Sequence, residues 1–319
     1  FTCPCGRQTG YGHHMSYKDR YGITRGSLVM KFQIPTVVKM CLSLGLILSL
    51  MILPSHSARK FTKATEMSSA DIVNPNEIRR TWNAAIVRVP TAPGRSSVTT
   101  ISKLMQKYGK SGKKFPVAIY MHGCGGIWAG TKRRVKFLAD NGFLVIAPNS
   151  LARKKYPRSC NPVTQEGGMY RPTIKMRQLD AGFAIESAKR LPFTDNSKFL
   201  LIGLSEGGIT TATFSRKNSR QSVKARVVEG WTCNAGWREY RGIRAPGSEP
   251  VLSLVGSKDP WFQNDWNRGH CGQFMSKGNG SRSVVYRTGT LARKHALLEN
   301  NAARKEVLNF LRKQGLLSN

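Results

Sequence analysis

Residues 198–214, KFLLIGLSEGGITTATF, constrain the fold more than any other stretch of this chain. The apolar run Phe199-Leu200-Leu201-Ile202 reads as a buried strand, and a helix-compatible segment, 209–214, begins only a few residues later. Between them, Gly203-Leu204-Ser205-Glu206-Gly207-Gly208 leaves room for one sharp turn. Strand, G-x-S-x-G and helix in that order predict a nucleophile elbow, in which a strained turn lifts the serine above the sheet edge. The glycines two residues before and after Ser205 admit the close backbone approach that such a turn requires. The helix that follows would aim its first amides at negative charge developing beside the serine.

The rest of the chain supplies partners in a definite order. Residues 115–121, FPVAIYM, are apolar on both faces, as a central parallel strand should be, and they end in His122-Gly123-Cys124-Gly125-Gly126. A glycine-rich turn there lets backbone amides face a carbonyl oxygen, so the amides of Cys124 and Glu206 are the expected oxyanion donors. The phosphate-cradling pattern G-x-x-x-x-G-K-[ST] is missing from this turn. His122 precedes the serine and is expected to be structural. A helix near 131–141 and a strand at 143–147 follow. Residues 149–172 are long, basic and rich in proline and glycine, a candidate lid-like wall of a substrate pocket. In the helix expected at 174–191, Leu179, Phe183 and Ile185 read as inward-facing, while Arg177, Asp180 and Glu186 read as solvated or locally paired.

Beyond the elbow, strands are expected at 225–228, 250–256 and 283–287. The second delivers Ser257-Lys258-Asp259-Pro260-Trp261, where a triad acid belongs, with Asp265 as runner-up. The loop 288–294 then carries His295 into a helix at 296–314. His270 is a rival base, but it comes only 11 residues after Asp259, before a further strand. Ser205, Asp259 and His295 thus fall in the order Ser, Asp, His, each on a loop after a strand. Upstream, 82–89 and 98–101 read as two short strands around Pro90-Thr91-Ala92-Pro93-Gly94, a hairpin at the sheet edge.

The N-terminal part has a different character. Residues 1–29 carry Cys3, Cys5, His13 and His14 at spacings that fit no standard zinc site, and they read as an upstream or non-native segment. Met40 to Leu53 is an uncharged run of 14 residues behind Lys31 and Lys39, followed by small residues up to Ala58. That length suits a signal h-region rather than a bilayer span of about 20 residues. A signal peptide at 30–58, an arm at 59–80 and a single domain from 81 to 319 are therefore expected. The product would be exported, periplasmic or secreted, with an uncleaved inner-membrane anchor as the competing form.

Four cysteines follow the signal: Cys124, Cys160, Cys233 and Cys271. An even number in an exported chain predicts one or two disulfides, with three full pairings open and Cys124 alternatively a buried free thiol. The net charge is +34, and still near +29 beyond Ala58, without a local basic-and-aromatic motif. Such a surface attracts anionic polymers or membrane surfaces non-specifically, but no specific nucleic-acid site is expected.

The HGCGG turn (122–126), the GLSEGG elbow (203–208), the GSKDPW acid loop (256–261) and the late His295 together resemble the dienelactone hydrolase family, over roughly residues 115–311. The resemblance implies the α/β-hydrolase fold: one domain with a mostly parallel central sheet flanked by helices, a Ser-His-Asp triad and no cofactor or metal. Two departures stand out. The family's namesake uses a cysteine nucleophile where this chain has Ser205. Glu206 is unusual beside an oxyanion hole, and its carboxylate must point away, with Lys154 or Arg158 as candidate partners. The expected function is hydrolysis of a small-molecule carboxylic ester or lactone. The alternative is a catalytically weak hydrolase scaffold that uses its basic surface to hold an anionic polymer or envelope component.

Overall fold

The computed structural model describes residues 61–318; the segment 1–29 and the expected signal peptide lie outside them. The main sheet contains β1 (Ile86–Ala92), β2 (Arg95–Thr99), β3 (Phe115–Met121), β4 (Leu144–Ala147), β7 (Thr194–Leu204), β8 (Ala225–Glu229), β9 (Val251–Gly256) and β10 (Arg282–Tyr286). β5 (Cys160–Asn161) and β6 (Glu166–Gly167) form a separate two-stranded ribbon. Across the sheet the order is β10-β9-β8-β7-β3-β4-β1-β2. β1 pairs antiparallel with β2 and β4, and the remaining neighbours run parallel.

Burial explains the parallel part. β4, β8 and β9 are buried along their whole length, as is β3 except at Pro116, because helices cover both faces of the sheet. On one face lie α4 (Ala129–Asp140) and α7 (Asn301–Lys313), whose Val135, Leu138, Val307 and Phe310 pack against Ala118, Tyr120 and Leu252. On the other lie α3 (Ile101–Tyr108) and α5 (Thr173–Lys189), with Leu104, Ala181 and Ile185 against Val117, Ile119 and Leu201. The expected α/β architecture and the strands from 115 onward are found within a residue or two of their expected bounds, except that β7 starts earlier, at Thr194.

Three local expectations need correction. The expected arm at 59–80 contains α1 (Ser69–Val73) and the start of α2 (Pro75–Asn83). Ser68 and Asp71 form a capping box on α1, while Asn74 caps α2 ahead of a proline at its first position. Trp82 therefore belongs to a helix, and β1 begins four residues later. Thr100 caps α3 through the Lys103 amide, so Ile101 starts a helix rather than ending a strand. At the C-terminal end, α7 starts at Asn301 behind its cap Asn300, so His295 stands in irregular backbone between two short 3₁₀ turns.

Arg177 and Asp180 are fully buried, not solvated. They belong to a set of four buried arginine–carboxylate pairs among the described residues: Arg134–Glu229, Arg153–Asp180, Arg177–Glu206 and Arg226–Glu249. Charges removed from water this completely persist only when paired and hydrogen-bonded. Arg226 donates to Glu249 Oε2 from both Nε and Nη2 and to the carbonyls of Thr211 and Phe214, tying β8 to the elbow helix. Removing one member of such a pair strands the other. Glu249→Leu is expected to lower unfolding free energy by about 3 kcal/mol or more, read as a lower urea midpoint at unchanged slope.

Candidate active site

β3 and β7 are neighbours in register, Met121 opposite Gly203, so the turn after β3 leaves the sheet beside the turn after β7. The second turn is the expected elbow. Ser205 has φ 58° and ψ −121°, a conformation that a non-glycine residue holds only when its surroundings enforce it. Its amide donates to the Glu229 carbonyl of β8 at 2.9 Å. The glycines are obligatory by contact. A Cβ on Gly207 would lie 2.0 Å from the Met121 carbonyl oxygen, one on Gly203 2.2 Å from the Gly207 carbonyl oxygen, and one on Gly208 2.7 Å from that of Glu229.

Behind Ser205 runs α6 (Glu206–Thr213). Glu206 is its first residue, so the Glu206 amide has no acceptor within the helix. On the other side Gly123 approaches closely: a Cβ there would be 3.7 Å from that of Ser205. Cys124, next along this turn, lines the same pocket as Ser205 and Glu206. His122 is fully buried and holds the turn in place. Its Nε2 accepts from the Ser150 amide at 3.1 Å, which puts the ring proton on Nδ1, donated to the Gly123 carbonyl at 2.7 Å. That is the structural role expected of it.

Asp259 and His295 are brought together. The acid loop folds back on Gly256 and takes the Ala292 carbonyl as acceptor for the Lys258 amide, which draws the segment before His295 against the end of β9. The His295 Nδ1–H donates to Asp259 Oδ2 at 2.7 Å, and Oδ1 of the same buried carboxylate accepts the Trp261 amide at 3.1 Å. His295 Nε2 is buried without a hydrogen-bond partner among the described residues. The imidazole is stacked on Trp261, with ring centroids 5.2 Å apart, and Phe262 lies 5.6 Å away on a tilted plane. Asp265, the runner-up acid, is fully exposed and faces Arg268. His270, the rival base, caps a short 3₁₀ turn by accepting the Gly272 amide, whereas it is His295 that reaches Asp259.

Several groups around the site escaped the sequence reading. Glu206 does not reach Lys154 or Arg158. Its Oε1 accepts from Arg177 Nη1 at 2.8 Å and from the Tyr156 hydroxyl at 3.4 Å, so the carboxylate is turned away from the serine and neutralised. Arg177 Nη2 also donates to the His122 carbonyl, joining both flanks of the Ser205 turn. Burial pushes the Tyr156 hydroxyl well above its ordinary pKa, so it serves as a neutral donor. Glu229 links Ser205 to the His295 segment: its backbone carbonyl holds Ser205, while Oε1 accepts the Leu298 amide, three residues past His295, at 2.7 Å. Arg134 donates to both of its carboxylate oxygens.

The cysteines resolve into Cys124–Cys160 and Cys233–Cys271, so Cys124 is not a free thiol. The first bridge fastens the turn beside Ser205 to the β5–β6 ribbon, within the segment expected to wall the pocket. That wall is present: Cys160, Gly167 and Gly168 line it.

A sequence model of the dienelactone hydrolase family matches residues 105–300, more than half of the chain. The chain belongs to that family. Among solved structures, it is similar to a thermophilic esterase, Est2, from Thermogutta terrifontis, bound to propionate. The two are 15% identical over 66% of this chain and 87% of that one, with a TM-score of 0.44. A dienelactone hydrolase-like promiscuous phosphotriesterase from metagenomic libraries is 19% identical over 63% and 88%, also with a TM-score of 0.44. No curated protein sequence matches the chain.

Gly230 offers a test of how closely the His295 segment is seated. It has φ +61°, and a Cβ there would lie 2.7 Å from the His295 carbonyl oxygen and 3.3 Å from the ring. Displacing a reacting group by about 1 Å can cost on the order of 100-fold in rate. Gly230→Ala is expected to lower kcat on an ester substrate by that order while its far-ultraviolet circular dichroism stays native.

Proposed function

We propose that this protein is an exported serine hydrolase that cleaves a carboxylic ester or lactone through an acyl-enzyme. The observation that carries the reading is the Asp259–His295 pair, with a proton on Nδ1, Nε2 without a partner among the described residues, and the ring stacked on Trp261, which lines the pocket of the strained Ser205. In the first half-reaction His295 Nε2 takes the proton of Ser205 Oγ as that oxygen bonds to the carbonyl carbon, and Asp259 stabilises the imidazolium. The amides of Cys124 and Glu206 receive the oxyanion. Collapse of the tetrahedral species breaks the carbon–oxygen bond, and the departing alkoxide leaves with the proton from His295. Water, deprotonated by the same nitrogen, then adds to the acyl carbon, and the acid departs as Ser205 recovers its proton.

The neutralised Glu206 supports this reading. A free carboxylate beside the oxyanion would oppose the charge that develops there, and Arg177 removes that opposition. Export is supported by the uncharged run 40–53 and by two disulfides in the described residues. The second reading, a hydrolase scaffold holding an anionic polymer or membrane surface, draws only on the net charge of +34.

Labelling with a fluorophosphonate serine probe tests the first reading. The wild type is expected to be labelled, and Ser205→Ala to lose both labelling and ester turnover, by about 10⁴-fold or more. A labelled, fully active Ser205→Ala protein would sink the triad. Salt separates the two readings: turnover of a neutral ester should change little between 50 and 500 mM salt, whereas polymer binding by surface charge should collapse.

A further inference from the structure

We infer that the substrate of this site is an uncharged ester bearing an aromatic ring, a proposal that rests on the serine hydrolase reading and narrows it. Four of the chain's six tryptophans line the Ser205 pocket, namely Trp231, Trp237, Trp261 and Trp266, along with Tyr240 and Phe262. They come from the loops after β8 and β9 and sit at angles to one another. Trp231 meets Phe262 edge-on at 5.4 Å and 74°, Trp237 meets Tyr240 at 5.5 Å and 68°, and Trp237 meets Trp266 at 6.1 Å and 56°. Trp231, Tyr240 and Phe262 are buried in these contacts, while Trp237, Trp261 and Trp266 keep part of their ring surface open to a guest. A guest can meet that surface stacked or edge-on, the two geometries in which aromatic pairs attract beyond their buried area.

The position of Trp237 is built into the backbone. A Cβ on Gly168 would fall 2.3 Å from its six-membered ring, and Gly168 has φ +75°, so both contact and backbone conformation select glycine there. Trp266 is 53% exposed at the mouth, a large apolar surface left for a ligand to cover. The charge of the ligand follows from what the lining lacks. Among the described residues no lysine or arginine lines this pocket; Arg171 lies over the Trp237 ring but is paired with Glu239, and the lining residue Glu206 already faces Arg177. An anionic substrate would find no cation beside the serine, and a cationic one no free anion.

The test compares phenyl and cyclohexyl esters of the same skeleton: methyl 3-phenylpropanoate against methyl 3-cyclohexylpropanoate, and benzyl acetate against cyclohexylmethyl acetate. Cyclohexyl is the more apolar group, so a merely greasy pocket favours it, while a pocket that pairs rings favours phenyl. The phenyl member of at least one pair is expected to show a roughly two- to tenfold higher kcat/KM. Trp266→Leu and Trp237→Leu should bring that ratio down toward one, with Ser205 labelling by a small fluorophosphonate showing that the variants are folded. Turnover with equal or better cyclohexyl rates in both pairs overturns the aromatic proposal alone. No labelling and no turnover of any of the four esters overturns the hydrolase reading and this proposal together.

Discussion

The active-site geometry depends on how closely α6 is seated on the sheet. Three glycines let the helix backbone lie almost against the ends of β3, β7 and β8, at separations that no side chain would permit. Ser205 is forced to φ 58° because the chain must turn from strand to helix within that gap, and the Glu229 carbonyl holds its amide there. The turn beside Gly123 and the first amide of α6 then fall on either side of the serine without further adjustment. What would be unfavourable backbone in isolation is maintained by packing around it.

Buried charge does the second part of the positioning. Glu229 receives Arg134, the Leu298 amide and, through its backbone, Ser205, so a single residue at the end of β8 references Ser205 and the His295 segment to each other. Arg177 acts likewise across Glu206 and His122. Replacing such pairs with apolar residues is often neutral or stabilising in other proteins, so stability alone does not explain four of them. Directional bonds fix where loop backbones lie, which greasy contacts do only loosely.

The parallel strands were legible because burial on both faces leaves unbroken apolar runs, as in FPVAIYM and VLSLVG. The strained turn at Ser205 and the Asp259–His295 contact were legible because each residue follows such a run, and chain order favoured them over Asp265 and His270. Arg177 and Asp180 were misread because their type favours solvent, and their neutralising partners, Glu206 and Arg153, lie 29 and 27 residues away. No local pattern carries that information. The helices between 69 and 83 were hidden by low hydrophobicity, although the capping box at Ser68 and Asn74-Pro75 signalled them. Disulfide pairing could not be chosen from spacing, since Cys124 and Cys160 are joined only by how the loops return to the sheet.

The Cys124–Cys160 bridge has a mechanical consequence for traffic through the site. The β5–β6 ribbon walls the pocket that Ser205 lines, and its first strand is covalently fastened to the turn beside the serine. Swinging the ribbon outward would drag the Cys124 turn away from Ser205, so an open gate on that side would also be a dismantled one. Trp266, half-exposed on the loop after β9, lines the same pocket with no covalent tie to that ribbon, so a guest that displaces its indole leaves the Cys124 turn where it is.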